Sequence, residues 1–431
     1  MKGRPAATSS PRPGPRRGQE RRERGQRRRS LPVLACFLLA GLLLAPAAAA
    51  RVAERSAPDA GLAPAPLRTT ALAVTATGPP RHFRGTDGRE HIDYDLLITN
   101  AFTADVTLRS LEVLNGRGKR LLRLEGEALA AVTFELLPPG PPTATVRKSG
   151  VVATMVDVAV SPGAVPKRLT HRLTYELPPD APVLALVESR QVNGPKLRVA
   201  RRGPIVIPPP LRGSGWVAFN ACCDSPSPHR DLLFPANGRF VMQEMFDIDW
   251  VRLRNGRLYE GNGSQTTQWH AEGAPVLAVG DGTVVRAVDG KPEWAPAPFG
   301  EAIVRTAEDF AGNHVVVRIR RGVYAVYVHL RPGTVRVRVG QRVRTGQRLG
   351  ELGNSGNTTA PHLHFGIHDG PDPLTSNSLP YEFDRFRFAG VAELQEGSPG
   401  QAAIAPEVSL TGTPHRMRRG YPLTFGVVDF R

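Results

Sequence analysis

From residue 68 to about 205, apolar and polar positions alternate over short runs. "ALAVTATG", "HIDYDLLITNAF", "VTLRSLEVLNGRGKRLLRLEG", "SGVVATMVDVAV" and "RLTHRLTYEL" each send every second side chain to one face, the period of a half-buried strand. Asn115 and Gly116 separate two such runs and predict a hairpin. About seven strands in roughly 140 residues predict an immunoglobulin-like β-sandwich. The proline run Pro208–Pro210 ends this region, because proline cannot continue a helix or a central strand. A second all-β region follows, with runs such as "APVLAVGDGTVVRAVDG", "GNHVVVRI", "VYAVYVHL" and "HLHFGIHD" between Gly-rich turns, and no convincing amphipathic helix. Residues 289–312 predict a long loop near one end of this sheet, and "YPLTFGVVDF" predicts a last strand.

The fold class expected is therefore all-β, a sandwich followed by a second β-sheet domain. The predicted divisions are 1–50, a signal peptide; 51–67, a Pro/Ala-rich linker; 68–205, the sandwich; 206–395, the second domain; and 396–431, a C-terminal segment with a final strand. Charge sharpens the first of these. Residues 1–29 carry nine of the seventeen net positive charges, leaving eight for residues 51–431. The basic run, the apolar run "LPVLACFLLAGLLLAP" and "AAAAR" occur in signal-peptide order, with a cut expected after Ala50. An uncleaved signal would instead be an N-terminal membrane anchor. Either way the chain is expected to be exported, to the periplasm, the cell envelope or the outside. Only Cys222 and Cys223 survive cleavage. Adjacent cysteines rarely bridge each other, so they are expected to be two small, partly buried residues in a turn. The basic balance is compatible with anionic cell-wall polymers as partners. No basic helix with interleaved aromatics and no zinc-finger spacing supports nucleic-acid binding.

The chemistry concentrates in "TTAPHLHFGIHDG", residues 358–370. On a strand, residues two apart share a face, so His362 and His364 project together while Leu363 and Phe365 enter the other side. Two imidazoles side by side fill a core poorly, but they can place one metal ligand beside one proton-handling group. His368 has the same parity, follows Gly366 and is expected at the surface. In "VYAVYVHLRPG", alternation puts His329 on the face of Ala325 and Tyr327, at a strand end where a side chain can reach a cleft. "FDIDW" sets Asp247 and Asp249 on one face among apolar neighbours, and a buried carboxylate needs a cation or a donor. His229 lies in a loop just ahead of them. His171 and His91 stand alone among strands and read as surface or packing residues.

Together, "GAPVLAVGDGTVV", "GNHVVV" and "VYAVYVHLRPGTVRVRVGQRVRTGQRLGELGNSGNTTAPHLHFGI" closely resemble the lysostaphin-type (LytM-like) zinc metallopeptidases that cut peptidoglycan peptides. The resemblance covers about residues 225–390. It implies Zn2+ held by a histidine, an aspartate and the second histidine of the H-x-H pair, which here would be His229, Asp249 and His364. His362 and His329 would be the two non-ligand catalytic histidines, handling protons while zinc activates water toward a peptide carbonyl. The usual first histidine, four residues before the aspartate, is missing, because Gln243 to Asp247 contains no His. His229 is therefore assigned from a variant spacing, with His270 as its competitor. Asp249 is preferred to Asp247 for its setting between an apolar residue and an aromatic one. The implied partner is a peptidoglycan peptide.

Two other function classes bear on this pattern. A non-catalytic relative that binds and activates a wall hydrolase typically loses ligands, whereas here they are present. A lipoyl- or biotinyl-type carrier needs a lysine at its hairpin tip, and residues 335–353 offer only Arg336, Arg338, Arg342, Arg344 and Arg348.

Overall fold

The strands observed are those that β-branched and aromatic alternation favours, and they build three main sheets. The computed structural model describes residues 67–136, 141–223, 227–230, 232–298, 300–393 and 408–431. The predicted signal, nearly all of the predicted linker and the first part of the 396–431 segment lie outside the described residues. No helix of the described residues is long and apolar enough to cross a membrane.

Two sheets occupy the first part of the chain. One runs Leu72–Ala76, Glu90–Asn100, Val151–Val160, Thr133–Glu135, with Arg81–Arg84 also paired to Glu90–Asn100. The other runs Gln191–Asn193, Arg168–Glu176, Val106–Asn115, Arg120–Glu125, with Leu197–Arg198 and Thr145–Val146 attached. Their apolar faces share one core, including Ile92, Leu96, Leu111, Val113, Val156 and Leu173. The predicted hairpin is present: the Asn115 side chain accepts from the backbone N–H of Arg117 and Lys119, closing the turn. His91 and His171 are both buried.

The third sheet has twelve strands. Its central order is Tyr381–Glu393, Gly426–Phe430, Gly213–Phe219, Ile248–Arg252, Leu363–His368, Val323–Leu330, Asn313–Arg320, Gly282–Val288. The last strand of the chain thus sits inside this sheet, between Gly213–Phe219 and Tyr381–Glu393, and is not a segment of its own. One face carries a core built on Trp216, Trp250, Tyr327, Leu363, Phe365, Tyr381 and Phe383.

The described residues fall in one compact unit. Phe83, on the first-sheet strand Arg81–Arg84, is fully buried in the core of the third sheet, against Phe246 and Tyr421. Burying such a ring is worth roughly 1.5–3 kcal/mol. Backbone bonds reinforce the joint: Thr86 N donates to Tyr421 O at 3.1 Å and Tyr421 N to Arg84 O at 2.8 Å. Alternation along a strand cannot show that one of its residues packs in a neighbouring core.

The cysteine expectation fails. Cys222 and Cys223 form a disulfide, across a cis peptide bond that leaves their Cα atoms 3.0 Å apart.

Candidate metal centre and catalytic histidines

Register brings the site together. Asp249 pairs with His364 across Ile248–Arg252 and Leu363–His368, and His364 pairs with Val328 on its other side. Partners directly opposite share a face, so Asp249 and His364 lie on one face while Trp250, Leu363 and Phe365 fill the core on the other. Asp249 Oδ1 lies 2.9 Å from His364 Nδ1. His229 comes in from a turn, with its Nε2 3.2 Å from Asp249 Oδ2 and its ring edge-on to His364. One donor atom from each of His229, Asp249 and His364 falls within 4.8 Å of the others, and all three residues are buried.

Neighbours fix the direction of each donor. His229 Nδ1 donates to Asp247 O at 3.1 Å, which leaves the Nε2 lone pair facing Asp249. His364 Nε2 donates to Asp247 Oδ2 at 3.1 Å, which frees Nδ1. Asn220 Nδ2 donates to Asp249 Oδ2 at 2.7 Å. Asp247 therefore stands behind His364, on the side away from Asp249. It orients His364, as carboxylates behind metal-binding histidines commonly do. A Cβ at position 366 would overlap the Asp247 carboxylate, so Gly366 keeps open the space that this carboxylate occupies.

The expectation that His368 lies at the surface is overturned. It is 1% exposed and donates through Nε2 to Asp247 Oδ2 at 2.8 Å. Its parity with His364 brings it to the same carboxylate across the space left by Gly366. His270 is not among the converging donors. The stretch around it closes on itself, with His270 N bonded to Leu258 O and Tyr259 bridged to Trp269, and its Nε2 lies 3.4 Å from Glu260 Oε1.

His329 and His362 face the same point from the other side. Their rings are 4.8 Å apart, and one nitrogen from each groups with His364 within 4.8 Å. His362 Nδ1 donates to Ala360 O at 2.7 Å and His329 Nδ1 to Ser355 O at 2.7 Å. Both Nε2 atoms are thereby left as acceptors, and that of His362 is 3.2 Å from Asp249 Oδ1. Strict alternation would send His329 into the core with Tyr327. Its φ of +63° breaks the alternation and turns the ring toward His364 instead. The bend lies where the backbone passes the Gly312–Ser355 contact, where any Cβ at 312 would strike Ser355.

Charge is divided across the cluster. Burial disfavours the Asp249 carboxylate, but His229 and His362 hold its pKa well below the usual range. Burial likewise opposes charge on Asp247, yet His368 and His364 bring it down to about 2. Burial also opposes charge on His364 and His229, but the carboxylates raise the first well above its ordinary value and raise the second as well. The ground between these donors thus favours positive charge. His329 behaves oppositely: burial and the neighbouring His362 and His364 hold its pKa well below the ordinary value, so it stays neutral. Two nitrogen donors and one carboxylate, converging in a buried spot that favours positive charge, fit zinc.

Sequence reasoning missed Asn220, Ser355, Thr358 and Glu244. Thr358 Oγ1 lies 3.2 Å from His362 Nδ1. Glu244 is buried near His229 and His364, and burial pushes its carboxyl up. Asn220 carries no motif, and Ser355, though inside the quoted stretch "GNSGN", drew no role; only the fold brings them to the cluster. The loop 289–312 flanks this region, anchored by Trp294 and Asn354. A cavity of about 250 Å³ there is lined by Lys291, Trp294, Ile303, Arg305, Asp309 and Gly356, among others.

Residues 263–376 match the model of Peptidase family M23. Over that segment the chain resembles the lysostaphin-type, LytM-like peptidases. The matched segment contains His329, His362 and His364, while His229 and Asp249 lie upstream of it. Peptidoglycan DD-endopeptidase ShyC of Vibrio cholerae is 37% identical over 97 residues, 21% of this chain and 21% of that protein. Peptidoglycan DD-endopeptidase ShyA of the same organism is 29% identical over 132 residues, 31% of this chain and 26% of that one. The chain thus spans only about a fifth to a quarter of the length of these relatives. Among solved structures, the catalytic domain of lysostaphin from Staphylococcus simulans matches at 24% identity and a TM-score of 0.18, covering 29% of this chain and 86% of that one.

Proposed function

We propose that the chain is a zinc-dependent endopeptidase that hydrolyses peptide bonds of cell-wall peptidoglycan after export to the envelope. The observation that carries this reading is the convergence of His229, Asp249 and His364 beside two imidazoles, His329 and His362, whose Nε2 atoms are free to accept a proton. The named relatives are peptidoglycan endopeptidases, which supports the substrate class.

Zinc bound by His229, Asp249 and His364 would supply Lewis acidity toward a carbonyl and lower the pKa of water. The chain's own residues do the rest. Asp247 keeps His364 Nδ1 turned inward, and Asn220 orients the Asp249 carboxylate. Neutral His329, and His362 beside it, each fixed by a carbonyl on Nδ1, present Nε2 to take a proton from the attacking water or pass one to the leaving amine. Buried surroundings strengthen each of these interactions.

Purified peptidoglycan incubated with the full-length chain is expected to release new amino and carboxyl ends, to stop doing so with a chelator, and to resume when zinc is restored. A chain that binds zinc and the polymer but cuts nothing under any of these conditions would replace this reading with the non-catalytic activator.

A further inference from the structure

Of the three proposed ligands, two are set by sheet register and one is not. Asp249 and His364 face each other on paired strands. His229 belongs to no strand; it sits in the turn Ser227–Arg230, closed by Arg230 N donating to Ser227 O. Side chains on loops are held less precisely than those on sheets, so a loop-borne ligand needs a supporting shell.

That shell comes from the sandwich. The next residue, Arg230, is 4% exposed and reaches into the sandwich strand Glu90–Asn100, with Nη2 2.7 Å from Asp93 Oδ1 and 3.2 Å from Asp95 Oδ1. Asp93 and Asp95 are themselves buried. Asp93 Oδ2 lies 2.6 Å from Cys222 Sγ, so the same carboxyl also touches the disulfide that precedes the His229 turn in the chain. Cys222 N donates to Tyr421 OH, and that hydroxyl donates to Phe246 O, beside Asp247. The sandwich therefore grips the segment on both sides of His229. A charge pair this deeply buried cannot lose one member without stranding the other, so it allows few alternative positions for the turn.

We propose that the N-terminal sandwich is a positioning element for the metal centre, in which Asp93 and Asp95 hold Arg230 and thereby set His229. This rests on the reading of His229, Asp249 and His364 as metal ligands. It makes the sandwich part of the working site and not a spacer, and makes metal affinity sensitive to a contact on the other side of Arg230 from the donors.

The test uses the full-length chain with cobalt(II) in place of zinc. Affinity is read by chelator competition and geometry by the visible absorption band. Arg230→Met is expected to weaken cobalt binding about tenfold or more and to alter the band, as loss of a supporting shell typically does. Asp95→Asn, which leaves the Asp93–Arg230 pair in place, is expected to weaken it about threefold, in line with a partial loss of that shell. Val113→Ala, a cavity in the sandwich core away from Arg230, should lower thermal stability yet leave affinity within about twofold, because cavity costs fall on packing. Unchanged affinity and band in Arg230→Met would overturn the proposal. If that variant does not fold, Asp95→Asn decides in the same way. A cobalt site that the variants leave intact defeats this proposal alone, whereas no cobalt site in the unaltered chain defeats the metal reading and the proposal with it.

Discussion

His364 and His91 have nearly the same immediate surroundings. Each is a buried imidazole between two carboxylates: His364 between Asp249 and Asp247, His91 between Asp157 and Asp87. At His364 a second imidazole, His229, points its free nitrogen at the shared carboxylate, and two more wait opposite. At His91 the sulfur that comes near belongs to Cys223, which is committed to a disulfide and offers no thiolate. Both His91 nitrogens face carboxylates, as both of His364 do, so carboxylate pairing alone does not tell the two apart. Pairing histidine with aspartate does not mark a metal centre. What sets the His364 cluster apart is the gathering of donors from His229, Asp249, His329 and His362 around one imidazole.

The sharpest break in this comparison is between neighbours on one strand. His364→Ala should lose zinc and bring hydrolysis to background. His362→Ala should keep zinc, measured by metal analysis, while turnover falls on the order of 10²–10⁴-fold, the usual worth of a general acid or base. Equal zinc loss in both would erase the division of roles. A smaller effect is expected one layer out: Asp247→Asn should weaken zinc roughly 10–100-fold in a chelator competition, since it removes the carboxylate that orients His364. Unaltered affinity would mean that Asp247 serves packing alone.

The weakest effect on the site, and the one that separates the two regions, concerns His91. Burial opposes its charge, but Asp157 and Asp87 raise its pKa to about 9. Because the folded value lies above the unfolded one, the stabilisation is full below about pH 6.5 and is lost as pH rises through about 9. At its largest this is worth about 3 kcal/mol. Thermal unfolding across pH 6–10 should show that loss in the unaltered chain and not in His91→Gln. A His91→Gln chain that keeps the slope would assign it to another group.

What was legible in the sequence was whatever strand parity controls. Alternation marked the strands, placed His362 with His364, and placed Asp247 with Asp249. Where the backbone departs from regular strand the pattern misled. His329 turns at positive φ, so its face could not be read from its neighbours. His368 was read as surface because a glycine precedes its turn, although Gly366 is the gap through which it meets Asp247. The Cys222–Cys223 bridge carries no local sequence signal. The burial of Phe83 in the other core, and the grip on Arg230, join residues more than a hundred positions apart and are properties of the fold alone.

The most direct test of the central claim is zinc content by mass spectrometry of the full-length chain, of His229→Ala and of His270→Ala, prepared in parallel. The account predicts one zinc per chain in the first and third and none in the second, because a catalytic zinc needs its three protein ligands. Zinc retained in His229→Ala and lost in His270→Ala would contradict it.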